Sequence, residues 1–186
     1  AREVLTDLPR EAKLERQQPD STLNPEASHD GYRATHGLTH VRKLELSHDG
    51  RGVNGEDLLV ALDARDTLRF DKVLDRGGLQ GITFQVRFHL HPDVDAELDL
   101  GGTAVSLALK SGEIWVFRFD SPVELSLEPS VYLERGRLKP RGAEQIVLSG
   151  RALTDTTRVR WSLAKAHETP LSVRDTRRAD NLSDDL

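Results

Sequence analysis

From Ile82 to Leu90 the chain alternates without a break: Ile82, Phe84, Val86, Phe88 and Leu90 are apolar, and Thr83, Gln85, Arg87 and His89 between them are polar. Successive side chains of a strand point to opposite faces, so this pattern describes a strand with one buried and one polar side. Val94 to Leu100 repeats it with Val94, Ala96, Leu98 and Leu100, and Gly101-Gly102 then turns the chain. Thr103 to Lys110 and Glu113 to Phe119 flank Ser111-Gly112, a short hairpin signal. Further strands are expected over 39–46, 57–62, 123–127, 131–134, 145–148 and 158–163, with a loop at 48–52.

No segment carries an apolar stripe at i, i+3, i+4 and i+7, so helices are expected to be few or absent. Many short strands with frequent turns point to an all-β fold, an antiparallel β-sandwich of supersandwich-like form. Residues 1–25 are polar with scattered leucines and read as an N-terminal extension or edge strand. Residues 26–166 read as the sandwich, and 167–186 as a polar C-terminal tail. There are no internal repeats.

Composition narrows the chemistry. The 186 residues can bury a real core, and a formal net charge of -5 argues against a general polyanion or nucleic-acid binder while leaving room for a local basic patch. With no cysteine, there is no disulfide framework, thiolate metal site or cysteine nucleophile. No apolar run approaches the roughly 20 residues that cross a bilayer, and no membrane partner is expected. The chain contains no methionine and begins without a secretory h-region, which we read as a segment of something longer.

Three clusters could carry chemistry. Arg87 and His89 share one strand face, and His91 follows before Pro92; two imidazoles at this spacing are weak metal candidates that still need a third converging ligand. The alternative is a hydrogen-bonded polar seam. His29, Tyr32 and Arg33, followed by His36 and His40, are residue types that move protons and neutralise carboxylates, although a strand with exposed polar positions and a turn at Gly31 also accounts for them. Arg135, Arg137, Lys139 and Arg141 place four positive charges within seven residues, suited to a sulfated or uronic-acid polymer or simply solvated. Trp115, Phe117 and Phe119 share a strand face and read as core rather than as a sugar-stacking row. No G-x-S-x-G elbow, P-loop, G-x-G-x-x-G or H-E-x-x-H motif is present.

The phrases EASHDGYRATHGLTHVRKLELSHDG, GEDLL, VRFHLHPDV, SGEIWVF, EQIVLSG and VRWSL occur in this order between Pro9 and Leu163. Together they resemble the C-terminal part of heparinase II/III-like proteins. That resemblance implies a parent with an α-helical toroid and an upstream β-region as partners in the same chain, an acidic polysaccharide as substrate, and β-elimination at a uronic acid. A homo-oligomer stays open, and the resemblance implies a bacterial source, periplasmic or cytoplasmic. The family's H-x-H-x-D spacing occurs here only as His89-Leu90-His91-Pro92-Asp93, inside the RFHLHP phrase that the resemblance does not tie to zinc, and its aspartate-Gly-Thr and H-N-T motifs are absent. The resemblance therefore assigns no catalytic residue to this chain, and any zinc of the parent falls to residues upstream of it. The expected role is a sandwich that supports or lines an acidic-glycan cleft and is inactive by itself. Two alternatives are a stand-alone carbohydrate-binding module using the basic loop and a small metal-dependent enzyme centred on His89 and His91.

Overall fold

The structure, a computed structural model, describes residues 9–17, 24–136 and 138–166. The C-terminal tail and Arg137 lie outside the described residues. Among the described residues, eleven strands form two antiparallel sheets. In chain order they are β1 (Ala12–Gln17), β2 (Asn24–His29), β3 (Thr39–Leu46), β4 (Gly52–Val60), β5 (Ile82–His89), β6 (Val94–Asp99), β7 (Ala104–Leu109), β8 (Ile114–Asp120), β9 (Glu124–Tyr132), β10 (Arg141–Ala152) and β11 (Thr156–Lys165). The larger sheet has the order β1-β2-β3-β4-β11-β8-β7-β6, and the smaller one β5-β10-β9. This is the all-β antiparallel sandwich that the alternation predicts.

The two sheets meet through the apolar halves of their alternating strands. Phe84, Val86 and Phe88 of β5 and Ile146 and Leu148 of β10 pack against Val105, Leu107, Phe117, Trp161 and Val159 of the larger sheet. The rings of Phe88, Phe117 and Trp161 form one cluster, with centroids 4.8 to 5.9 Å apart. Trp115, Phe117 and Phe119 belong to this core. Burying one such side chain is worth about 1.5–3 kcal/mol. Trp161 lies flat over Gly55 of β4, where an added Cβ would stand 2.1 Å from the ring.

Two details differ from the pattern-based reading. The pair of strands expected over 123–127 and 131–134 is one strand, β9, which runs through Pro129. As the outer strand of its sheet, β9 tolerates a residue without an N–H. The second difference is helix α2 (Ala64–Arg76), preceded by the single turn α1 (Arg33–His36). The helical stripe is masked because its buried side includes Asp66 as well as Phe70, while Leu68 faces solvent. The local signal was the N-cap: the Asp63 carboxylate accepts the N–H groups of Arg65 and Asp66. Phe70 then packs with Leu38, Ala152, Leu59, Leu74 and Ile82 in a second core cluster. Gly37 ends α1 at φ 70°, and an added Cβ would lie 2.2 Å from the Asp66 carbonyl oxygen.

Gly55→Ala is expected to destabilise the fold by about 1–3 kcal/mol through overpacking against Trp161. Gly52→Ala, whose nearest neighbour would be 3.5 Å away, should change little. Urea midpoints of the two variants check this. Phe70→Ala should cost about 3–5 kcal/mol in the same assay.

Candidate functional site

Where β5 ends the smaller sheet, the larger sheet continues past it as β4, β3, β2 and β1. A pocket of about 380 Å³ opens there, with His29, Tyr32, His36, His40, Arg42 and Asp57 on one side and Ile82 to Arg87 of β5 on the other. Strand register builds the polar side. His29 of β2 stands opposite His40 of β3, and Arg42 of β3 stands opposite Asp57 of β4. Cross-strand partners share a face, so all four groups point inward.

Asp57 is the anchor. It is 2% exposed, and both carboxylate oxygens are fully used. Oδ1 accepts from His40 Nε2 at 2.7 Å and from Arg42 Nε at 2.8 Å. Oδ2 accepts from the Arg42 terminal nitrogen at 3.1 Å and from Trp161 Nε1 at 2.8 Å. Burial opposes its ionisation, but the bonds from His40, Arg42 and Trp161 outweigh that and hold its pKa below the usual carboxylate value. Arg42 also lies over the rings of Phe88 and Trp161, 5.1 and 5.8 Å from their centroids.

The hydrogen bonds fix both imidazole tautomers. The Gly31 N–H donates to His29 Nδ1 at 3.2 Å, so the proton of neutral His29 is on Nε2. His29 Nε2 then donates to His40 Nδ1 at 3.2 Å, which leaves the His40 proton on Nε2, facing Asp57. The result is a one-way chain, Gly31 to His29 to His40 to Asp57, in which each ring nitrogen has its partner. Neither histidine keeps a nitrogen for a substrate proton or a metal ion. The His29 pKa is lowered, first by burial and next by His40, with Asp30 opposing.

The sequence-predicted residues separate. His29, Tyr32 and Arg87 line this pocket. Arg33 turns toward α2, where Nε meets Asp66 Oδ2 at 2.8 Å and a terminal nitrogen meets Asp63 at 2.6 Å, tying α1 to the helix. Arg87 and His89 lie on the outer face of the small sheet and reach across β10 to Glu128 at 2.8 Å and Ser130 at 2.9 Å on β9. His91 does not join them: its Nδ1 accepts the Asp93 N–H and its ring packs on Tyr132 at 4.9 Å. Among the described residues no three His, Asp or Glu side chains are grouped to hold a metal ion. Arg141 is engaged by Asp93 at 2.8 Å. Bonds from Arg141 and Lys110 pull the Asp93 pKa down to about 2. Arg135 and Lys139 stand exposed on the hairpin loop between β9 and β10.

Sequence reasoning missed Arg42, Asp57 and Trp161 as site residues. Trp161 and Asp57 are 104 positions apart and are brought together by the β4–β11 pairing. No sequence spacing encodes that contact.

Asp57→Asn should destabilise the fold by about 3–5 kcal/mol, because it strands the Arg42 charge. Thermal unfolding checks this. The His29 pKa sits below its ordinary value of 6.5, so the unfolded chain takes up the proton first as pH falls. The stability that His29 confers is complete above about pH 6.5 and declines below it. In His29→Gln the loss of stability between about pH 6.5 and 5 should be shallower than in the parent.

Comparison with known proteins agrees with this architecture. Residues 5–162 match the family described as "Heparinase II/III-like, C-terminal". "FtsZ-localized protein C" of Caulobacter vibrioides is 34% identical over 139 residues, covering 74% of this chain and 22% of that protein. The heparan sulfate lyase HepC of Pedobacter heparinus shares the fold with a TM-score of 0.63 at 10% identity, over 84% of this chain and 22% of its own. A heparinase III structure gives 0.62 at 13% identity, over 85% and 22%. The chain thus spans about a fifth of the length of these relatives. With the family model matching residues 5–162 and a 34% identical relative covering 74% of this chain, the chain belongs to the heparinase II/III-like family, as its C-terminal β-sandwich portion.

Proposed function

We propose that this sandwich forms a wall of an acidic-glycan cleft in a longer heparinase II/III-like protein and supplies no proton-transfer group of its own. The closed chain from Gly31 to Asp57 carries the reading, because a general base needs an unoccupied nitrogen facing its substrate. The cations beside the pocket are likewise engaged, Arg42 by Asp57 and Arg87 by Glu128. What remains for a ligand is the exposed Tyr32 ring with His36 at the mouth, which suits contact with a sugar rather than reaction with it. The lyase names of HepC and heparinase III supply the substrate class for this proposal.

The same geometry supports a partner within the longer chain. Among the described residues β5 is an edge strand with Ile82 to Arg87 bordering the pocket, and no layer of them covers the inner face of β1 to β3. Leu14, in register with Ala27 and Arg42, is 65% exposed on that face. An upstream β-region pairing with β5 would cover both features, since an open edge offers unpaired backbone groups.

Incubation of this chain with heparin, heparan sulfate and alginate should give no rise in unsaturated-uronate absorbance. Turnover that persists through rigorous purification and is lost in Tyr32→Phe would sink the proposal.

A further inference from the structure

The turn between β2 and α1 leans on one imidazole. Gly31 N–H donates to His29 Nδ1 at 3.2 Å, and a Cβ on Gly31 would lie 3.1 Å from the same nitrogen. The residues on either side are fastened elsewhere. The Asp30 carboxylate accepts the N–H groups of Arg10 and Glu11 at 2.8 and 3.1 Å, and Arg33 is tied to Asp63 and Asp66 at the start of α2. Gly31 and Tyr32 are the two residues between these anchors. The Tyr32 ring, half exposed, stands 5.4 Å from the His29 ring at the mouth of the pocket.

A hydrogen-bond chain that runs one way has a definite response to an added proton. With the ring protons on His29 Nε2 and His40 Nε2, the vacant nitrogens are His29 Nδ1 and His40 Nδ1. A proton on His29 Nδ1 faces the Gly31 N–H, donor against donor. A proton on His40 Nδ1 faces the His29 Nε2 proton, and moving that proton across the His29 ring returns the same conflict to Gly31. Asp57 only accepts, so its bonds survive either event, and a positive charge strengthens the 2.7 Å contact from His40. The link that gives way is the neutral one at Gly31.

We propose that His29 is an acid-sensitive latch: one proton taken up by the His29–His40 pair releases Gly31 and turns Tyr32 away from the pocket mouth. The latch is internal to the fold and operates whatever molecule or chain segment meets the pocket. Asp30, Glu11 and Asp57 favour the added charge. Arg10 and Lys13 on the β1 side, Arg42 on β3 and Arg33 on α1 oppose it, while His36 and Arg87 border the same pocket. Burial and His40 lower the His29 pKa from 6.5, so the latch is closed at neutral pH and opens as the pH falls beneath that value.

NMR of the full, isotope-labelled 186-residue chain between about pH 7.5 and about pH 5 tests this. At the upper end His29 should show the tautomer protonated on Nε2. Its ring should titrate with a midpoint below 6.5, and the Gly31 amide and Tyr32 ring signals should move with the same midpoint. In His29→Gln the side-chain carbonyl can still accept from Gly31 but does not titrate, so both signals should lose this dependence. Asp30→Asn removes the carboxylate that favours the proton and should lower the midpoint further. A Gly31 amide that stays in place while His29 titrates would overturn the proposal. So would a proton on Nδ1 at the upper end, a ring that stays neutral until the sheet unfolds, or the same movements persisting in His29→Gln. The unsubstituted chain decides the matter by itself should that variant fail to fold.

Discussion

A carboxylate with four donors around it organises this protein. Asp57 sits inside the sandwich, and an isolated charge there would cost several kcal/mol. The fold meets that cost by converging groups from three strands: His40 and Arg42 from β3, Trp161 from β11, and Asp57 itself from β4. His29 extends the cluster to β2 through His40. Each donor has a second duty. Arg42 caps the aromatic cluster, Trp161 fills the space left by Gly55, and His40 fixes the His29 ring. Removing the carboxylate therefore unsettles packing, charge and the pocket wall together.

Much of the fold was legible from alternation alone, since a strand with one wet and one dry face must alternate. Ile82 to His89, Val94 to Asp99 and the flanks of Ser111-Gly112 form strands as the pattern requires. Helix α2 was not legible as a stripe, because Asp66 occupies one of its buried positions to receive Arg33. The candidate site was visible only in part. His29 and Tyr32 stood out as residue types, yet their meaning depends on Asp57 and Trp161, which register across the sheet alone brings near. Conversely, His89 and His91 stood out by spacing and proved to face different partners, Ser130 and the Asp93 backbone.

Histidines beside an aspartate invite a catalytic reading, and the direction of the hydrogen bonds is what supports the proposed non-catalytic role instead. A relay needs an end that is free to accept, and the Gly31 N–H occupies that end. The pocket therefore owes its character to what stays unengaged at its rim, chiefly Tyr32, rather than to its most conspicuous residues. The basic hairpin divides in the same way. Arg141 is committed to Asp93 at the base, and Arg135 and Lys139 stand exposed.

The strand order has a further consequence, for how the chain is made. In the larger sheet β1 to β4 form one meander and β8 to β6 another, and β11, the last strand among the described residues, lies between them. Each meander can form from neighbouring segments as they leave the ribosome, but the seam between them waits for residues 156–165. Until then β4 and β8 are open edges and the Asp57 carboxylate lacks Trp161. Pairings this distant in sequence are slow to close. The vulnerable interval in biosynthesis thus lasts until β11 has emerged, while two half-sheets with sticky margins await one strand.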